Sequence, residues 1–536
     1  MNKIEGMFPK YIWAVLIMIF VGSLSINAQK FDKDMQKLQL AYKLISTFYV
    51  DSIDDEKLVE DAIVGMLSKL DPHSQYITKE EVAKMNEPLD GSFEGIGIQF
   101  NIFQDTLMVV SPISGGPSEK VGIQAGDRIL EIDGENVAGI GLKNTDVFTK
   151  LKGKKGTKVD IAILRRNVKD LINFTVTRDK IPIHSVEASY MATPEIGYIK
   201  INQFSATTHT EVETALKKLG NEGMSNLILD LRGNPGGYLN AAIEVSDQLL
   251  PDGKLIVYTE GLTNPRREYK SSSKGLFEEG KVIVLINEGS ASASEIVSGA
   301  VQDWDRGLVL GRRSFGKGLV QRPLNLQDGS MMRLTIAKYY TPSGRCIQKP
   351  YSDGIEAYQK ELLQRYDNGE ILNKDSIHLD KADKYYTKTK QRLVYGGGGV
   401  MPDLFVPADT SGYSDYYRDL VAYGILNRYI LSYVDDNRNK LVKNYPDYDA
   451  YQKGFVVDDN IIEKLIKEGK KADIKSDVED LHENSMPLLK AQIKALIARN
   501  LWTSSEYFQS INSTTEVYNK AIELLSTENE YFDLIK

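Results

Sequence analysis

The sequence predicts a multidomain α+β protein, and three observations carry that expectation. Its 536 residues exceed one ordinary domain. Helical periodicity marks both ends, while the middle reads first as short β-runs with glycine turns and then as alternating apolar strands and helices. Apolar residues make up 42% and charged residues 26%, the balance of a folded chain with real cores. The formal net charge of -8 leaves no basic footprint for nucleic acid.

The first element is residues 1–28. Lys3 and Lys10 precede an uncharged stretch from Tyr11 to Ala28 whose heart is apolar, and small or polar residues lead to Ala28-Gln29. That apolar heart is shorter than the roughly 20 residues of a spanning helix, so a signal peptide cleaved at this point is expected over a retained anchor. Export to the periplasm or cell envelope follows, with membrane association if the segment stays uncleaved. The single cysteine, Cys346, forms no internal disulfide, and nothing in its turn lowers a thiol pKa.

Residues 29–91 read as helical, with Leu38, Ala41, Leu44 and Ile45 and then Leu58, Ala62, Ile63, Met66 and Leu67 at helical spacing, until Asp71-Pro72 breaks the pattern. Residues 92–180 read as a small β-barrel with a short helix near Pro117. Across 181–348, the runs Ile196 to Ile201, Asn226 to Leu231 and Lys281 to Ile286 are apolar throughout, as strands buried on both faces are, with helical text such as Leu239 to Leu250 between them. A layered α/β core is expected. Residues 349–395 form a polar, solvated insertion ended by Gly396-Gly397-Gly398-Gly399, and 396–409 return to the core. Residues 410–536 read as helical and polar, a packing or assembly module by default.

The densest cluster of chemistry-bearing residues runs from Lys281 to Gln321. The strand Val282 to Ile286 feeds Ser290-Ala-Ser292-Ala-Ser294-Glu295 and then a helix. A serine at a helix start sits among unpaired N–H groups and the positive end of the dipole, where an oxyanion is stabilised. Ser292-x-x-Glu295 is also a capping box, which does no more than start a helix, and spacing alone favours that device. Gly311 to Lys317 nearly spells a phosphate-binding loop, but Gly318 replaces the hydroxyl that meets Mg²⁺. Ser314-x-x-Lys317 needs a helix, which Gly316 and Gly318 oppose. The five histidines, His73, His184, His209, His378 and His482, are isolated and read as surface or structural. Lysine remains as a base, provided that burial lowers its pKa; Lys317 lies in an apolar, tightly turning context, although a solvated loop lysine has the same spacing.

Together these residues resemble the C-terminal processing peptidases, PDZ-containing serine-lysine endopeptidases of peptidase family S41. The resemblance rests on Leu70-Asp71-Pro72-His73-Ser74-x-Tyr76, Phe93-Glu94-Gly95-Ile96-Gly97-Ile98 and Gly122-Ile123-Gln124-Ala125-Gly126-Asp127. It continues through Leu229-Asp230-Leu231-Arg232-Gly233-Asn234-Pro235-Gly236-Gly237, the Ser292 segment, Ser314-Phe315-Gly316-Lys317-Gly318 and Tyr340-Thr341-Pro342-Ser343-Gly344-Arg345. Each motif is weak alone, and their order is specific. The resemblance implies a PDZ β-barrel joined to an α/β serine protease core of β-β-α spiral, ClpP/crotonase-like type, with helical segments at both ends.

By the same resemblance Ser292 is the nucleophile, Lys317 its base and Gln321 the residue that orients Lys317. The oxyanion hole falls to the backbone of Ala293 and of Gly236 or Gly237. Gly95, Ile96, Gly97 and Ile98 fall on the loop that receives a peptide's free carboxylate. Substrates are expected to be proteins with free, apolar C-termini, with an envelope adaptor as a further partner, a homo-oligomer as the assembly, and no metal or cofactor. The insertion and the long helical C-terminus depart from the minimal family pattern. The rival readings are an envelope scaffold or chaperone without proteolytic activity, and a hydrolase of small esters or amides.

Overall fold

A computed structural model describes residues 33–103, 105–113, 115–166, 168–378, 383–410 and 412–536. The expected signal peptide and its cleavage point lie outside the described residues. Among the described residues no helix is long and apolar enough to cross a membrane.

The chain divides into two compact units, 1–76 and 77–536. In the first, residues 33–48 are helical, and a second helix, Asp55–Leu67, starts where the Asp54 carboxylate accepts the Lys57 N–H at 3.1 Å. The Asp71-Pro72 break is a turn in which the Asp71 carboxylate accepts N–H bonds from His73 and Ser74, at 2.8 and 2.9 Å.

The second unit begins with the helix Lys79–Asp90 and continues into the barrel. Its main sheet runs Ile98–Phe103, Thr106–Pro112, Arg128–Ile132, Lys158–Leu164, Ile172–Thr177, closed around Ile96, Leu107, Ile129, Val147 and Ile161. Ile98–Phe103 is therefore an edge strand. The helix Asn144–Leu151 lies alongside it, Phe148 meeting Phe100 edge-on at 5.5 Å between ring centroids.

The α/β core is a six-stranded sheet in the order Val186–Met191, Ile196–Ile201, Asn226–Asp230, Val282–Ile286, Leu308–Gly311, Leu404–Phe405. The first pair is antiparallel and the rest run parallel. Alternation along each strand explains the continuous apolar text. Leu227, Leu229, Val282, Val284 and Ile286 face one layer of helices, Thr208–Asn221, Leu239–Asp247 and Ala293–Asp303. Ile228, Ile283, Leu285, Leu308 and Leu310 face the last two helices of the chain, Glu516–Ser526 and Glu528–Ile535. The C-terminal region thus does more than pack on the outside: it supplies one of the two layers of the core. The bundle from Asp415–Ala422 to Met486–Leu501 has its own core around Tyr416, Tyr451, Leu465 and Ile493.

The polar stretch after Lys349 is not a free solvated loop. It folds into the helix Ile355–Asp367 and a hairpin of Lys384–Tyr386 with Leu393–Tyr395, and its Tyr358 and Arg365 are buried. Some of its charges read as solvated in sequence because their partners lie elsewhere in the chain, as Arg313 does for Glu370 at 2.6 Å.

The far end of the helix Ala293–Asp303 is anchored by a fully buried ion pair, Arg345 with Asp303 at 2.7 Å. The other Asp303 oxygen accepts the Thr341 hydroxyl and the Ser343 N–H, at 2.5 and 2.8 Å. Arg345→Met leaves that carboxylate without its counter-charge, and urea unfolding is expected to read a loss of about 3–5 kcal/mol.

Candidate active site

The loop between Val282–Ile286 and the helix Ala293–Asp303 carries three serines, and their surroundings separate them. Ser290 is fully buried and its hydroxyl donates to the Leu231 carbonyl at 2.8 Å. Ser294 is fully buried and donates to the Asn234 carbonyl at 2.9 Å. Both stitch the loop to the glycine-rich turn that follows Asn226–Asp230. Ser292 instead lines a cavity of about 690 Å³. It is the N-cap residue, at φ 55° and ψ -110°. A β-substituted residue pays backbone strain there, and strain of this kind persists only where the surroundings over-determine it.

The glycine-rich turn closes on Ser292 from the other side. A Cβ on Gly236 (φ 99°) would meet the Ala291 carbonyl oxygen at 2.7 Å and the Ser292 Cβ at 2.8 Å. One on Gly237 (φ 147°) would meet the Phe204 carbonyl oxygen at 1.9 Å. Only glycine permits both the conformation and the approach. The Gly236 N–H is already taken by Asn234 Oδ1 at 2.9 Å. The N–H of Gly237 and that of Ala293, the first residue of the helix, donate to no acceptor among the described residues.

Lys317 lines the same cavity, and its Nζ donates to Gln321 Oε1 at 3.0 Å. Its loop is extended: Ser314 is buried, its hydroxyl bonded to Glu295 at 2.5 Å, so the Ser-x-x-Lys spelling has no helix behind it. The insertion grips this loop, with buried Arg365 donating to the carbonyls of Ser314 and Phe315 at 2.8 and 3.2 Å. Gly318 donates its N–H to Gln348 Oε1 at 2.8 Å.

Two side chains fasten the serine and lysine segments together. Glu295, fully buried, accepts the backbone N–H of Ser292 at 2.8 Å and that of Lys317 at 2.9 Å, besides Gly316 N–H at 2.7 Å. On the other side the Tyr339 hydroxyl lies 3.0 Å from the Ser292 carbonyl oxygen and 2.5 Å from that of Lys317, and donates its one proton between them. Burial pushes the Glu295 carboxyl up to about 7, against the pull of the donors around it. The capping box is therefore real, and its glutamate does more than cap. Sequence flagged Glu295 only in that minor role, and Tyr339 and Arg365 carried no signal, because their partners are distant in the chain.

Ser292, Lys317, Gln321, Gly236, Gly237 and Ala293 are thus brought to one cavity. None of the five histidines lines it. Burial pushes the Cys346 thiol up, away from the thiolate a nucleophile needs. Gly95 to Ile98 lie apart, in the barrel, where Ile96 and Ile98 are buried in its core and the Ile96 carbonyl accepts the Ser118 hydroxyl at 2.7 Å.

Known proteins resemble this chain along most of its length. The family model described as "Peptidase family S41" matches 195–357, and "PDZ domain" matches 108–165. "Activating protease CtpB N-terminal domain" matches 22–81, and "Family of unknown function (DUF8443)" matches 416–503. The carboxy-terminal-processing protease of Bartonella bacilliformis is 37% identical over 403 residues, spanning 74% of this chain and 90% of its own. The carboxy-terminal processing protease CtpA of Bacillus subtilis is 35% identical over 393 residues, spanning 71% and 81%. The solved photosystem II D1 C-terminal processing protease is 29% identical, covers 58% of this chain and 89% of its own, and has a TM-score of 0.33.

Glu295→Gln keeps the shape but turns an NH₂ toward backbone donors, displacing Ser292 against Lys317. Any activity of the site is expected to fall by roughly a hundredfold. Because the folded chain holds the Glu295 proton more tightly than the unfolded chain, that contribution to stability is complete below the ordinary value of 4.5 and lost as pH rises through about 7. Relative to Glu295→Gln, wild type is expected to lose about 3 kcal/mol between about pH 4 and pH 8, read by urea unfolding.

Proposed function

The chain belongs to the carboxy-terminal processing proteases of peptidase family S41, and on that premise we propose that it is a serine endopeptidase that cuts protein substrates near their C-terminal tails. The observation that carries this is the joint fastening of the Ser292 and Lys317 segments by Glu295 and Tyr339 at the wall of one cavity. In this reading neutral Lys317 takes the proton of the Ser292 hydroxyl as Oγ attacks the scissile carbonyl. The N–H groups of Ala293 and Gly237 face the oxyanion. Lys317 then passes the proton to the leaving amine, and water hydrolyses the acyl-enzyme by the reverse sequence. Gln321 holds the lysine's head toward the serine between these steps.

The barrel serves as the tail-binding module. The open edge of Ile98–Phe103 can take an extended peptide as an added strand, with the free carboxylate at the turn Gly95 to Ile98. Export to the envelope, oligomerisation and an adaptor partner belong to the same reading. So does a core of β-β-α spiral, ClpP/crotonase-like type, which the strand-strand-helix order from Val186 to Asn221 supports.

The test compares wild type, Ser292→Ala and Lys317→Ala on an unfolded protein with an apolar tail and on the same protein ending in Asp-Asp. Wild type is expected to cut the apolar-tailed protein faster. Both variants are expected to fold and to lose on the order of 10⁴-fold or more in kcat/KM. Wild-type rates in Lys317→Ala would remove the proposed base, and three inert, folded proteins would favour a scaffold.

A further inference from the structure

One cation on the cavity wall has no part in the proton chemistry. Arg333 lies on the strand Met331–Tyr340, which pairs with Leu319–Asn325 in an antiparallel hairpin. The register sets Gln321 opposite Thr335 and Pro323 opposite Arg333. Residues opposite one another, and those two apart, share a face, so Arg333 stands on the side that carries Gln321, about 7 Å farther along the hairpin. Gln321, Pro323, Asn325, Met331 and Arg333 all line the cavity with Ser292 and Lys317, as that alternation requires.

Arg333 is half-buried, yet no carboxylate lies within ion-pair distance of it among the described residues. The hydrogen-bond partner of its guanidinium is the Met85 thioether, a weak acceptor for a group with five N–H donors. The acid on the cavity lining, Asp90, is engaged by the Tyr238 hydroxyl at 3.1 Å. Other buried or partly buried arginines have strong acceptors: carboxylates for Arg312 (Glu288 at 2.8 Å), Arg313 (Glu370 at 2.6 Å) and Arg392 (Asp305 at 2.7 Å), and backbone carbonyls for Arg178, Arg306 and Arg438. Burial alone, with no opposing charge, pulls the Arg333 guanidinium below its usual range. A partly desolvated cation without an anion is costly, and its planar fork is shaped for a carboxylate.

We propose that Arg333 is a specificity-determining residue that binds a carboxylate of the substrate within a few residues of the scissile bond. The proposal rests on the reading of Ser292 and Lys317 as the catalytic pair. The carboxylate is either an acidic side chain beside the cut or the substrate's own C-terminus when the cut lies close to it. Such a preference is separate from the apolar tail offered to the barrel.

The test uses the full chain and peptides in which each position flanking the cut is in turn Asp, Asn, Glu, Gln or Lys, each peptide made with a free and with an amidated C-terminus. The quantity read is the ratio of kcat/KM between acidic and neutral partners within each enzyme. Wild type is expected to favour an acid at one position, or a free over an amidated end, by about tenfold. Arg333→Gln is expected to bring the side-chain ratio to one and to cut any free-end ratio to the part that the barrel's own turn supplies, and Arg333→Glu to reverse the side-chain ratio in favour of Lys. A wild-type chain that cuts these peptides with no acid or free-end preference overturns the proposal, even if no variant folds. A preference that is undiminished in Arg333→Gln does the same. A wild-type chain that cuts none of the peptides removes the catalytic pair first, and the carboxylate site with it.

Discussion

The carboxylate of Glu295 is the point on which the remainder of the site hangs. Taking an ionised carboxyl out of water costs several kcal/mol, and that cost is offset in part here by four donors from two segments: Ser292, Ser314, Gly316 and Lys317. A group so expensive to bury is tolerated only when its donors are all in place, so the carboxylate makes the geometry of one segment conditional on the other. Tyr339 repeats the constraint from the carbonyl side. The strained backbone of Ser292 is held by this pair of fastenings together with the first turn of the helix it begins, whose Glu295 and Ile296 N–H groups donate to the Ser292 carbonyl.

Support for that arrangement spreads outward through the chain's departures from the minimal family pattern. The helix Ile355–Asp367 sends Arg365 under the lysine loop, and the glycines after Tyr395 lie against it, Arg313 donating to the Gly398 carbonyl at 2.8 Å. The C-terminal bundle reaches the barrel as well, Asp435 pairing with Arg128 at 3.0 Å and Asp436 with Arg166 at 3.1 Å. The edge strand Ile98–Phe103 is at the other end of the barrel's sheet path from Ile172–Thr177 and pairs, within that sheet, with Thr106–Pro112 alone among the described residues.

Much of this was legible in the sequence wherever the signal was local. Alternation and apolar runs gave the core strands, because period-two text survives without knowledge of the partner. Ser292 and Lys317 could be ranked among decoys only by the ordered motifs around them, since a capping serine and a catalytic serine have the same spacing. What stayed hidden was long-range. Glu295 reads as a cap because its other three donors are about 20 residues downstream; Tyr339 reads as a strand residue; Arg365 reads as one more solvated charge in a polar stretch. The last two helices read as an appendage because the sheet face they cover belongs to strands that were already fully apolar and so named no particular partner.

That final feature has a temporal meaning. Tyr531 donates its hydroxyl proton to the Val282 carbonyl at 3.1 Å, and the two residues are 249 positions apart. The strand that delivers the Ser292 loop therefore keeps one face bare until synthesis has passed Tyr531. Contacts of such separation form late, after the loop-closure entropy of the intervening chain has been met. A chain cut short of Glu516 leaves that face of the sheet uncovered, and the loop that carries Ser292 then springs from a strand buried on one side alone.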